Sequence, residues 1–166
     1  MSYAETLLPE FDQEMASTRK VLERIPDDKL DWKSHPKSNT IGWNANHIAD
    51  IPCWAVEVLT KTVFDIAPID GEPHKSPEFK TTREIVECFD RNVAAAREAI
   101  AQAKDEDMGV TWTLAQGGKE FFSMPRATMM RVYIMNHLIH HRAHVCAYLR
   151  LNDIPVPGMY GPSGDE

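Results

Sequence analysis

Four of the seven histidines fall within one short stretch, Asn136-His137-Leu138-Ile139-His140-His141-Arg142-Ala143-His144. It lies in a run, Arg126 to Leu151, with no glycine or proline. Pro125 stands where a first helical residue belongs, with Ser123 nearby as a cap. At about 100° per residue, Met130, Ile134, Leu138, Val145 and Leu149 form one apolar stripe. His137 and His141 stack one helical turn apart on the edge of that stripe, so both face inward. Two inward imidazoles at this spacing are what a helix must supply to grip a transition metal. A third ligand then has to come from another element.

Three further helices are expected. The first runs from about Ala4 to Ile25, its stripe being Leu7, Phe11, Met15, Thr18, Leu22 and Ile25, and Pro26 ends it. The second starts near Thr40 or Ile41 and reaches about Lys61. Its inward face reads Trp43, His47, Ile51, Trp54 and Val58, which places an imidazole inside an aromatic and aliphatic stripe. Pro52 lacks the N–H that would bond the carbonyl of residue 48, so a kink or break is expected one turn beyond His47. The third begins at a Thr81/Glu84 capping box and buries Ile85, Phe89, Val93, Ala96 and Ile100. Residues 62–80 hold four Pro/Gly residues and read as a long binding rim or lid. Between Gly109 and Met124, two β-rich runs flank Gly117-Gly118, the pattern of a short hairpin or extended crossover. The expected fold class is all-α: a four-helix bundle with two long connections, in one domain spanning residues 1–166. The fourth helix lying against the second would bring His47 to His137 and His141.

Composition narrows the partners. A net charge of −7 and the lack of any basic run argue against nucleic acid or anionic membrane. The N-terminus carries no basic-then-apolar leader, and no stretch approaches the roughly 18 apolar residues of a membrane span. A cytoplasmic protein is the simplest account. The three cysteines, Cys53, Cys88 and Cys146, are far apart and read as buried free thiols. No nucleophile elbow, phosphate-cradling loop, H-E-x-x-H or C-x-x-C is present.

The segment His137-Leu138-Ile139-His140-His141-Arg142-Ala143-His144 resembles the H-x-x-H-H-R-x-Q signature of the DinB superfamily. The continuation through Tyr148–Asn152 and Pro155–Glu166 resembles that family's ending, and His35–Ser38, His47–Pro52 and Trp54 its second-helix region. The likeness covers essentially the whole chain. It implies a four-helix bundle in which His47, His137 and His141 bind a divalent transition metal, zinc or nickel before iron. Relatives among the bacillithiol and mycothiol transferases use such a metal to activate a thiol. The resemblance also implies a homodimer. The family's usual glutamine is His144 here, which puts an ionisable ring beside the site.

The expected function is that of a metal-dependent enzyme acting on a small molecule such as a low-molecular-weight thiol. Three neutral imidazoles leave a position open for water or thiol, giving hydrolysis or thiol transfer. The alternative is a non-catalytic metal-binding or stress-response bundle. Asp50 and His144 are the candidate catalytic groups. Asp50 could hydrogen-bond a ligand imidazole or instead cover the bend at Pro52, and His144 borders the site. His140 falls toward the exposed flank, and His35 and His74 read as solvated loop residues. Arg142 suits a salt bridge or dimer contact. Trp43 reads as core or as a wall of the cleft, and Arg150 with Asp165-Glu166 as a clasp on the tail.

Overall fold

The computed structural model describes residues 1–166. Helix α1 (Tyr3–Leu22) opens on a reciprocal cap: Glu5 N donates to Ser2 Oγ and Ser2 N to the Glu5 carboxylate. Leu7, Phe11, Met15, Thr18 and Leu22 are buried as the periodicity requires. Helix α2 (Ile41–Thr60) is capped by Thr40, whose hydroxyl oxygen accepts from Trp43 N. Helix α3 (Thr82–Gln102) starts at Thr81, which accepts from Glu84 N. The Glu84 carboxylate returns to the Thr81 hydroxyl rather than to its backbone.

Helix α2 is the central element, packed against α3 on one side and the last helix on the other. It is therefore buried nearly all round: Ala45, Ile48, Ala49, Ile51, Ala55 and Val58 are inaccessible to solvent. The stripe read from sequence holds for Ile51, Trp54 and Val58 but not for Trp43, which is 45% exposed. Of the kink or break expected at Pro52, the break is absent, and the helix runs on through that residue. Asn92 on α3 helps it do so by donating to the Ala49 carbonyl at 2.8 Å, next to the carbonyl that Pro52 leaves without a partner. The start of α2 sits hard against the preceding connection. Gly42 N donates to Leu30 O at 2.8 Å, and a Cβ on Gly42 would meet that oxygen at 2.9 Å.

The expectation of an all-α chain needs correction. Three strands form a small sheet, β1 (Val63–Asp65), β2 (Thr111–Gln116) and β3 (Lys119–Pro125), in the order β1-β2-β3. The β2–β3 hairpin is the one expected from Gly117-Gly118, both of which take positive φ (59° and 73°) as a tight hairpin turn demands. Strand β1 joins β2 in parallel and escaped the sequence reading, because three residues cannot display a two-residue period. Asp65 locks the arrangement by accepting from Gly117 N and Gly118 N, which holds its carboxyl below the usual range. The sheet docks on the helices through Trp112, wholly buried, whose indole N–H donates to Glu57 O.

The last helical segment is not one α-helix. Pro125 ends β3; α4 (Arg126–Met129) passes into a seven-residue π-helical stretch, Met130–Asn136, before α5 (His137–Leu151). Met130, Ile134 and Leu138 are all fully buried at spacings of four, so the wider turn keeps them on one face. Such wide turns often mark functional sites, and this one ends immediately before His137. No helix is long and apolar enough to cross a membrane.

Candidate metal centre

His137 and His141 project from the first turn and a half of α5 toward α2, which presents His47. The Nε2 atoms of His47 and His137 lie 3.2 Å apart. One ring nitrogen from each of the three histidines lies within 4.8 Å of the others. Two imidazoles on one tetrahedral zinc, at 2.0–2.1 Å each, would hold their nitrogens about 3.3 Å apart. The donor set and its spacing therefore fit a transition metal.

The tautomer of His141 follows from its neighbour. Asn44 Nδ2 donates to the Thr40 carbonyl at 2.8 Å, so its Oδ1 is the atom that faces His141 Nδ1 at 2.9 Å. An amide oxygen only accepts; His141 must carry its proton on Nδ1 and leave the Nε2 lone pair free. His137 packs against the Tyr133 ring, with centres 5.8 Å apart. Trp43 stacks on His47 with ring centres 4.7 Å apart, and Trp54 meets His47 edge-on at 5.3 Å.

These surroundings keep the rings neutral. Burial, reinforced by the neighbouring imidazoles, lowers His47 to about 4 and His141 to about 3. Burial likewise lowers His137. Neutral rings are the metal-binding form. Because the folded-state values of the metal-free protein lie below the ordinary 6.5, the unfolded chain binds more protons through the intervening range. This stability is complete above about pH 6.5 and erodes as the pH falls toward 4 and then 3. With each of His47 and His141 contributing on the order of 2 kcal/mol after discounting partial exposure, the melting midpoint should fall by roughly 10 °C between pH 7 and pH 4. A midpoint constant across that range in a thermal melt would contradict the burial of these rings.

Asp50 is buried, and none of its hydrogen bonds goes to the three rings. Its carboxylate meets His74 Nε2 at 2.8 Å, Ser76 Oγ at 3.1 Å and Cys53 Sγ at 3.5 Å. It thus fastens the 62–80 connection to α2. The reading of His74 as a solvated loop residue is corrected accordingly, whereas His35 is exposed as expected. Asn46 forms a second clasp, exchanging hydrogen bonds with Phe79 O and Phe79 N. The clasped loop walls a cavity of about 700 Å³ beside His47, lined by Trp43, Asn46, Lys75, Glu78 and Lys80 among others. Trp43 is a wall of that cleft. The loop is the rim that its length and composition announced.

His140 is exposed, as expected, and His144 borders the site, its ring centre 5.9 Å from that of His141. Arg142 is fully buried in an ion pair with Glu14. Arg150 holds the tail through Asp165. All three cysteines are free. Burial pushes each thiol's pKa up, that of Cys53 also through Asp50, and none lines the cavity. Sequence reasoning missed Asn44 and Asn46. Their signal was two amides inside a helix that also carries His47, since buried polar groups must find partners.

Known proteins share this architecture. A crystal structure of a DinB-like protein from Bacillus cereus superposes with a TM-score of 0.70 at 24% identity, covering 94% of this chain and 97% of that one. That likeness is one of fold. No curated protein matches the sequence. The family model of the DinB superfamily matches residues 10–145, a span that includes α2, the three-histidine cluster and nearly all the helical core. By that match, the chain belongs to the DinB superfamily.

Proposed function

We propose that this protein is a metal-dependent enzyme of one catalytic domain in which His47, His137 and His141 hold a divalent transition ion. Zinc or nickel is the first choice and iron the alternative, since imidazole suits all three. The observation that carries the reading is the convergence of three neutral imidazoles, one of which, His47, lines a solvent-open cavity. Three protein ligands leave a coordination position free, as catalytic sites require. When bound, such an ion is a Lewis acid that brings the pKa of water or a thiol toward neutrality.

The chain's own residues do the rest. Asn44 fixes the tautomer of His141, while Trp43 and Trp54 hold the His47 ring between them. A cavity of about 700 Å³ suits a small molecule. Any thiol that reacts is the substrate's own, because no cysteine of the chain reaches the cavity. Asp50 is a positioning residue: with His74, Ser76 and Cys53 on its carboxylate it holds the rim. Nucleic acid and membrane do not suit a chain of net charge −7. We further propose a homodimer, which a monomeric mass by light scattering would refute.

The test begins with untagged protein loaded with zinc or nickel. It is assayed for conjugation of small thiols to an electrophile and for hydrolysis of activated esters and amides. Turnover that a chelator abolishes and added metal restores is expected in one of the two assays. Stoichiometric metal without turnover in either would leave a non-catalytic metal-binding bundle. Asn44→Ala supplies a second check. Losing an outer-shell partner of a ligating histidine weakens metal binding about 10- to 100-fold, so competition against a chelator should show that loss; the stranded His141 Nδ1 should also lower the metal-free melting midpoint by a few degrees.

A further inference from the structure

We propose that His140 and His144 form a second, weaker transition-metal site on the outer face of α5, which captures the ion for the buried centre. The two residues are four apart on one helix, so their rings sit one turn above the other. Their ring centres are 4.3 Å apart. One nitrogen from each, together with one of His141, falls within 4.8 Å of the others. His140 is exposed and His144 half-buried, so small side-chain rotations suffice to close the pair on an ion.

The His144 ring is already oriented. It lies nearly parallel to Tyr148, with 9° between the planes and centres 6.2 Å apart, and Tyr148 in turn packs edge-on against Trp32. The hydrogen bonds that commit His141 to Asn44 and His74 to Asp50 have no counterpart at His140 or His144. His141 belongs to both clusters by distance. Its Nδ1 is engaged by Asn44, however, so the outer site has two protein ligands while the inner has three. Two imidazoles bind more weakly than three. An ion on the outer pair is therefore transient while the inner site is vacant.

One hollow touches a residue of each site. A shallow depression of about 440 Å³ is lined by His140 and His137 together with Phe122, Val132, Tyr133 and Asn136. The net charge of −7 draws cations toward the surface. An ion held at His140 thus shares one solvent-open hollow with His137, and His141 adjoins both clusters.

The existence of the outer site is independent of the function proposed above; its capture role rests on that function's metal centre. Both are tested by titrating chelator-stripped, untagged protein with Zn²⁺ alone, following stoichiometry by equilibrium dialysis and loading rate from a chromophoric zinc chelator. Wild type should bind one tight and one weaker equivalent. His140→Ala/His144→Gln should lose only the weaker one and load the tight site several-fold more slowly. His47→Ala/His137→Ala should keep only the weaker. Because that last variant removes core-facing rings, Cu²⁺ broadening of individual imidazole signals in wild-type protein serves as a second readout, with His140 and His144 affected beyond the first equivalent. A single equivalent in wild type, untouched by the outer double variant, would overturn the site and leave the inner centre standing. A weaker equivalent without a tight one would overturn the capture role together with the inner centre. An unchanged loading rate would overturn the capture role alone.

Discussion

Replacing His137 with alanine should empty the buried centre while leaving the fold intact. The residue contributes one of three converging nitrogens, and its Nε2 lies 3.2 Å from that of His47. Without it, two imidazoles remain on different helices, His47 on α2 and His141 on α5, with ring centres 4.6 Å apart. Each ligand of a structural zinc site accounts for several of the 10–16 kcal/mol of total binding free energy. Affinity should accordingly fall on the order of 100-fold or more. Metal in protein purified without supplementation should drop from near one per chain to below about a tenth, a ratio set by that loss. Stability of the metal-free chain should change little by comparison. The wild-type ring is half-buried, and burial already opposes its charging. Elemental analysis beside a circular dichroism melt checks both halves. A variant that keeps a full equivalent of metal would mean that these three histidines are merely packed. His140→Ala is the matched control, since it alters an exposed ring one residue from His141 and should leave the tight equivalent in place.

The parts of this site visible in the sequence were those that rest on local periodicity. His137 and His141 share a helical face because they are four apart, and His47 faces the same space because it interrupts an apolar stripe. The Thr81 cap and the Gly117-Gly118 hairpin turn were equally local, and the structure has both of them. What escaped depends on partners distant in the chain. Strand β1 exists because β2, some 50 residues on, offers it an edge. The bond from Asn44 to His141 spans 97 positions, and that from Asp50 to His74 joins α2 to a loop whose path no periodicity describes.

The π-helical stretch was hidden for a different reason. Met130, Ile134 and Leu138 satisfy an α-helical stripe and a wider turn almost equally well, so composition alone did not separate them. Pro52 shows the opposite case, a break that local sequence allowed and the fold does not have. Its local effect is real, but packing against α3 on one side and α5 on the other keeps α2 helical through it. Tertiary burial outweighs a local penalty of about 3 kcal/mol.

Glu14→Ala should be strongly destabilising although it lies outside the centre. Arg142, adjacent in sequence to His141, is 2% exposed, and its guanidinium meets the Glu14 carboxylate at 2.7 Å. The same guanidinium donates to Glu14 O, Thr18 Oγ1 and the Tyr160 hydroxyl, and that hydroxyl donates in turn to Glu14. The network therefore ties α1, α5 and the C-terminal tail at one buried point. Removing Glu14's carboxylate strands a cation that water cannot reach, which costs about 3–5 kcal/mol. For a chain of this size that corresponds to a melting midpoint lower by roughly 10 °C or more. The pair itself need not be net stabilising, because desolvating two charges offsets most of their attraction. Glu14→Leu combined with Arg142→Met should hence recover much of the loss, and the gap between the single and double variants measures the stranded charge. A single variant within about 2 °C of wild type, less than 1 kcal/mol for this size, would show that water reaches Arg142. The same melts bear on the metal centre. Arg142 anchors the turn of α5 that carries His141, so a destabilised network should also weaken metal retention, though less than the loss of a ligand does.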